Sequence, residues 1–152
     1  MAIRNVVQVG DDILRKKCFE VENFDEKLWQ LLDDMKDTVR KEDGAGLAAP
    51  QVGVLRRAVV VDVKEGFYEF INPVILEEKG EQRGYEGCLS VRGKRGVVTR
   101  PLVVKVEYSD RKGKRKKLVA RGFFARAVCH ELDHLDGVLY TARAEKVETV
   151  KD

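Results

Sequence analysis

The stretch that most constrains the fold is Cys129-His130-Glu131-Leu132-Asp133-His134-Leu135-Asp136-Gly137. It reads H-E-x-x-H, a spacing that becomes useful on an α-helix, where residues four apart share a face. There His130 and His134 can each offer a ring nitrogen to one metal ion. Glu131, about 100° round from His130, can reach a water beside that ion. The pattern points to metal-dependent hydrolysis. Both histidines of the chain lie in this motif, so any fold it adopts has to turn one face of this helix toward a cleft. The plain alternative is two surface histidines on an ordinary helix. Gly137 stands where a helix C-cap belongs.

The 128 residues upstream, about one domain's worth, have to build the cleft. A helix is expected from Asp25 to Lys41, where Leu28, Leu31, Leu32, Met35 and Val39 recur at helical spacing and Asn23 or Asp25 can cap the start. Before it, residues 1–20 read as an arm with a short extended piece, a polar cap and one helical turn. Glu42–Gly53 reads as neither helix nor regular strand, with glycines and a proline fixing an irregular backbone. Strands are expected at Arg57–Val63, Phe67–Asn72 and Val74–Glu78, with Asn72-Pro73 marking a turn or edge. Gly84–Ser90 is again Gly-flanked and irregular. Further strands fall at Val97–Thr99, Leu102–Tyr108 and Lys117–Arg121, the last two joined by a turn at Ser109–Gly113. Helical periodicity returns from Gly122. The order of helix, strands and helix gives an α+β class: mostly antiparallel β-sheets packed around a central C-terminal helix that carries the metal motif. Residues 1–152 are expected to form a single domain, with Val138–Asp152 a short tail.

Composition bounds the setting. Hydrophobic residues at 43% and charged residues at 36% exclude a disordered chain. No apolar run is long enough to span a bilayer. Three cysteines, Cys18, Cys88 and Cys129, do not make a disulfide framework, and no leader opens the chain, so a cytoplasmic protein with reduced thiols is expected. The net charge of +3 owes much to Arg92–Arg95 and Arg111–Lys117. Those runs lack the interleaved aromatics of a single-strand nucleic-acid surface and read as solvated faces.

Two imidazoles do not complete a catalytic centre, which takes a third protein ligand and keeps one position open. A sulfur or a carboxylate has to serve. Cys88 stands in the Gly-framed segment, and a thiolate with two neutral imidazoles would leave a divalent centre with a charge of about +1. Cys88 would equally serve as a small buried hydrophobe. Glu145 and Glu148 are available in the tail. Cys129 is turned about 100° from His130 and suits core packing, and nothing singles out Cys18. Phe123, Arg126 and Ala127 stand seven, four and three residues before His130 and would line a partly apolar cleft on its face. Plain packing explains Arg126 poorly. Two other classes fit the bare motif. A zinc endopeptidase would need a third His or Glu ligand and a long open cleft. A non-catalytic metal domain would close its site with Cys18 or Cys129.

Three separated segments resemble the motifs of the peptide deformylase family: Gly44-Ala45-Gly46-Leu47-Ala48-Ala49-Pro50-Gln51, Glu86-Gly87-Cys88-Leu89-Ser90 and His130–Gly137. Order and spacing agree, and the resemblance runs from the N-terminal arm through Gly137. It implies hydrolysis of the N-formyl group from the N-terminal methionine of newly synthesised polypeptides, releasing formate. It implies Cys88, His130 and His134 as metal ligands, Fe²⁺ as the natural ion with Zn²⁺, Ni²⁺ or Co²⁺ able to substitute, and Glu131 as general acid and base. It implies Gln51 and the Leu89 N–H as oxyanion donors, Gly46 as a partner for the substrate backbone and Arg95 as a basic residue near the peptide. Ala45, Glu86, Phe123, Arg126 and Ala127 would surround the methionine side chain. Glu86 is also expected to pair with Arg100. The implied partners are formyl-methionyl nascent peptides and, transiently, the ribosome, with no membrane and no specific nucleic acid. The chain departs from relatives at Cys129, often Gln, at Val91–Lys94, where a proline is common, and in a tail shorter than the long helix some members carry.

Overall fold

The computed structural model describes residues 2–150. Met1, Lys151 and Asp152, the ends of the expected domain, lie outside the described residues. Helix α1 spans Glu26–Lys41 and starts on Asp25, whose side chain accepts the Leu28 N–H. Strands follow in order: β1 Gly46–Ala48, β2 Ala58–Val63, β3 Gly66–Lys79, β4 Gln82–Cys88, β5 Val91–Arg100, β6 Val103–Ser109 and β7 Arg115–Arg121. Helix α2 spans Phe123–Leu135, and β8 (Val147–Thr149) closes the described chain. One sheet runs β1-β2-β3-β6-β7 and a smaller one β4-β5-β8. All strand pairings in both sheets are antiparallel.

The valine run of β2 sits between the helices, and its alternation divides the core. Val59 and Val61 face α2 together with Phe70, Val104 and Val106. Ala58 and Val60 face α1, packing with Leu28, Leu31, Leu32, Met35 and Val39. With period-two geometry, a strand covered on both faces reads as an unbroken apolar run. Helix α2 is buried around nearly its whole circumference, from Phe124 to Leu135. A helix in that position has no solvated face on which to carry two idle histidines.

Several expected boundaries change. The Gly44–Gln51 segment contains a true strand, β1, whose Gly46–Ala48 pairs with Val61–Val59. A 3₁₀ turn at Ala49–Val52 follows it. The two strands expected on either side of Asn72-Pro73 are one strand, β3. Its register shifts between Ile71 and Val74, so the proline, which has no N–H to give, falls at an irregularity. Asn72, at φ 49°, bonds through its side chain as well as its backbone: Oδ1 accepts Val21 N–H at 2.8 Å, Nδ2 donates to Val21 O at 2.9 Å and its own N–H donates to Arg57 O at 2.8 Å. Gly84–Ser90 is mostly strand β4, irregular between Glu86 and Cys88. The tail is not loose, because β8 pairs with Lys94–Gly96 of β5. Gly137 ends α2 at φ 75°, and a Cβ there would collide with the Arg15 backbone. Among the described residues, no helix is long and apolar enough to cross a membrane.

Candidate metal centre

The irregular end of β4 carries Cys88 over the inner face of α2. Its Sγ lies 3.4 Å from His134 Nε2, and ligand atoms of Cys88, His130 and His134 lie within 4.8 Å of one another. Ligand atoms around a tetrahedral ion stand roughly 3.3–3.6 Å apart, so this donor set needs little adjustment to close on one. Cys18 and Cys129 are packed in the apolar core, where burial pushes their thiols up to about 11 and about 12. Glu145 and Glu148 are held elsewhere, on Arg83 at 2.6 Å and on Arg95 at 2.7 Å. The tail carboxylates are therefore not brought to the histidines. Three donors that leave a position open suit a catalytic rather than a structural ion.

His130 is oriented from behind. Its Nδ1 meets Glu86 Oε1 at 2.8 Å, which leaves Nε2 for the cleft. Glu86 accepts two bonds from Arg100 at 2.8 Å and one from Arg126 Nη1 at 2.6 Å. Burial opposes the charge on Glu86, but the bonds from Arg100 and His130 hold its carboxyl well below the usual range. Arg126 also donates to Val98 O at 3.0 Å, which accounts for a guanidinium on the buried helix. Arg100 continues to Asp133 at 2.7 Å, and Asp133 to Arg143 at 2.6 Å. With the protein's own charges alone, burial disfavours charge on both imidazoles. Glu131, Cys88 and Glu86 nevertheless push His130 up to about 10, while burial and the nearby His130 push His134 down to about 3.

Glu131 is buried, its Oε1 has no hydrogen-bond partner, and burial pushes its carboxyl up to about 7. A Cβ on Gly46 would stand 2.7 Å from Glu131 Oε2, so only glycine lets β1 run this close to the helix. Gln51 is clamped by Ala48 N–H, which donates to its Oε1 at 2.9 Å. Its Nε2 consequently faces Ser90 Oγ at 3.0 Å and Cys88 Sγ at 3.5 Å. These residues open on a cavity of about 270 Å³ whose lining includes Ala45, Gly46, Glu86, Leu89, Phe123, Arg126 and Ala127. Arg95 is outside that lining. It lies at the rim, its guanidinium 4.2 Å from the centroid of the Tyr85 ring, and Tyr85 does line the cavity.

The residue range 3–150 matches the family model described as Polypeptide deformylase. The chain belongs to the polypeptide deformylase family. A peptide deformylase of Thermoanaerobacter pseudethanolicus is 50% identical, over all of this chain and 99% of that protein. One from Caldicellulosiruptor bescii is 55% identical over 92% of this chain and 84% of that one. The crystal structure of peptide deformylase from Thermotoga maritima superimposes with a TM-score of 0.92 at 38% identity, covering 95% of this chain and 99% of that one. As a polypeptide deformylase the chain is a metal-dependent hydrolase.

Some residues that line the deformylase cleft or support it from behind carry little signal in the sequence. Ser90, Tyr85 and Tyr140 were not singled out. Tyr140 is fully buried and stacks on His130 with centroids 5.9 Å apart. The one sequence signal for Ser90 is its place at the end of the Glu86–Ser90 motif. Tyr140 had none, because its role comes from the chain folding back after Gly137.

Proposed function

We propose that Cys88, His130 and His134 hold one divalent ion, Fe²⁺ in the cell, and that this cleft removes the N-formyl group from the N-terminal methionine of newly synthesised polypeptides. The observation that carries the reading is one thiol and two imidazoles converging within 4.8 Å, with a buried carboxyl beside them. When bound, the ion would acidify a water and polarise the formyl oxygen.

The chain's own residues supply the rest. Glu131, whose carboxyl is pushed up by burial, takes a proton from the water as the water oxygen bonds to the formyl carbon, and passes it to the amine nitrogen as the C–N bond breaks, giving formate and a free N-terminus. The Gln51 amide and the Leu89 N–H donate to the oxygen that gains charge. Strand β1 pairs with β2 along one edge, and its other edge at Gly46 faces the cleft. An extended substrate adds to that edge as a further strand, with Gly46 as its backbone partner. Ala45, Phe123 and Ala127 receive the methionine side chain, and Arg95 stands near the following peptide. Glu86 and Arg126 act through the buried ion network behind that wall. The chain works as a single domain in the cytoplasm, on peptides emerging from the ribosome.

The test is a substrate panel with metal-replete protein. Formyl-Met peptides should release formate, while acetyl-Met peptides and internal peptide bonds stay intact, because only the smallest acyl group is expected to fit beside the ion. Internal cleavage would favour an endopeptidase and overturn the reading.

A further inference from the structure

The two oxyanion donors come from separate segments, Gln51 from the turn after β1 and Leu89 from the turn between β4 and β5. Neither segment is part of α2. A third segment, residues 6–9 of the N-terminal arm, crosses both. Val7 N–H donates to Gln51 O at 2.7 Å, and Val9 N–H donates to Ser90 O at 2.7 Å. Between them, Gln8 Nε2 donates to Leu89 O at 2.9 Å and to Val6 O at 3.1 Å. Both of its partners are carbonyl oxygens, which only accept, so the Gln8 amide is fixed in one orientation. The start of the arm is anchored in turn on α1. Ala2 N–H and Arg4 Nε each donate to Asp34 at 2.8 Å, and Arg4 N–H donates to Thr38 Oγ1 at 2.9 Å.

The Leu89 N–H and C=O belong to successive peptide planes hinged at one Cα. The Leu89 side chain is already confined, since a Cβ on Gly44 would stand 2.9 Å from its Cδ1. The plane bearing Leu89 C=O takes its side-chain tether from Gln8. Without that tether the hinge relaxes, and the N–H on the other plane loses its aim.

We propose that Gln8 is a positioning residue: its side-chain amide holds the Leu89 peptide so that the Leu89 N–H meets the developing oxyanion in register with the Gln51 amide. The inference rests on the deformylase reading above. It adds to it a residue that lies outside all three motifs, on a segment whose other bonds are ordinary backbone pairing.

Gln8→Met keeps the length and removes the donor. Gln8→Glu keeps the shape and sets a carboxylate against the two carbonyls. The experiment uses the full-length, metal-loaded chain and follows formate release from a formyl-Met peptide, metal content, thermal midpoint and amide hydrogen exchange at Leu89 and Ser90. The expected result for both variants is a kcat lower by about tenfold or more and KM within about twofold of the parent. Metal content and midpoint stay unchanged, and exchange at Leu89 and Ser90 is faster. Parent-like kcat overturns the proposal. So does a loss in which kcat, KM and the midpoint all move together, which is the mark of general destabilisation. If the parent protein itself releases no formate, the deformylase reading fails. Exchange at Leu89 then decides the positioning by itself, with faster exchange supporting it and unchanged exchange overturning it.

Discussion

Glu86 shows how much a single side chain can organise. Its carboxylate accepts from Arg100, Arg126 and His130 inside the protein, so one residue orients a candidate metal ligand and shares its charge between two buried guanidinium groups. Replacing it leaves Arg126 without a carboxylate and Arg100 with Asp133 alone, and unties His130. Glu86→Gln is expected to lower metal affinity about 10- to 100-fold, read by competition with a chromogenic chelator; parent-like affinity would contradict the account. The pairing with Arg100 was expected alongside the family resemblance. The bond to His130 was not, because it depends on Glu86 and His130 being brought together from β4 and α2 across 44 residues. Cys88 is the converse case. Sequence left it balanced between ligand and core, and the difference from Cys18 and Cys129 came from where each thiol is packed.

At the scale of elements, long periodic segments were readable and short ones were not. Helix α1 and the valine strand β2 follow their own apolar patterns. Strand β1 has three residues, two of them small, and exists because β2 offers it a register. Strand β4 carries two glycines that hide its alternation, and β3 conceals a proline at its irregularity. The N-terminal arm is likewise held by partners rather than by pattern. Burial opposes the charge on Asp34, but bonds from Arg4, Gln30 and the Ala2 N–H outweigh it and hold its carboxyl below the ordinary 3.8. A depressed native value means the unfolded chain binds the proton more readily. The contribution is therefore complete above about pH 4 and is lost as pH falls further. Asp34→Asn should raise amide exchange in residues 2–9 about tenfold at neutral pH. That difference should shrink as the parent is acidified below its carboxylate range. A difference independent of pH would contradict the assigned anchor.

For the whole molecule, the two sheets meet around α2, and the candidate ligands come from both sides of that junction: Cys88 from the small sheet and His130 and His134 from the helix. An ion held there binds the folded chain and not the unfolded one, so it stabilises the junction by mass action. Chelation should lower the thermal midpoint by roughly 5–10 °C, and reloading should restore it; an unchanged midpoint would place the ion elsewhere. The arginines of the two basic runs are paired in the folded state. Arg111 meets Asp33 and Glu69, Arg115 meets Glu107, and Arg95 meets Glu148. The most direct test of the central claim is formate release from a formyl-Met peptide by metal-replete protein, measured beside Glu131→Ala. The parent should turn over, while the variant keeps its full complement of metal and loses at least about a hundredfold in kcat. A variant as active as the parent would show that Glu131 is not the proton carrier, and the mechanism built on this cleft would fall.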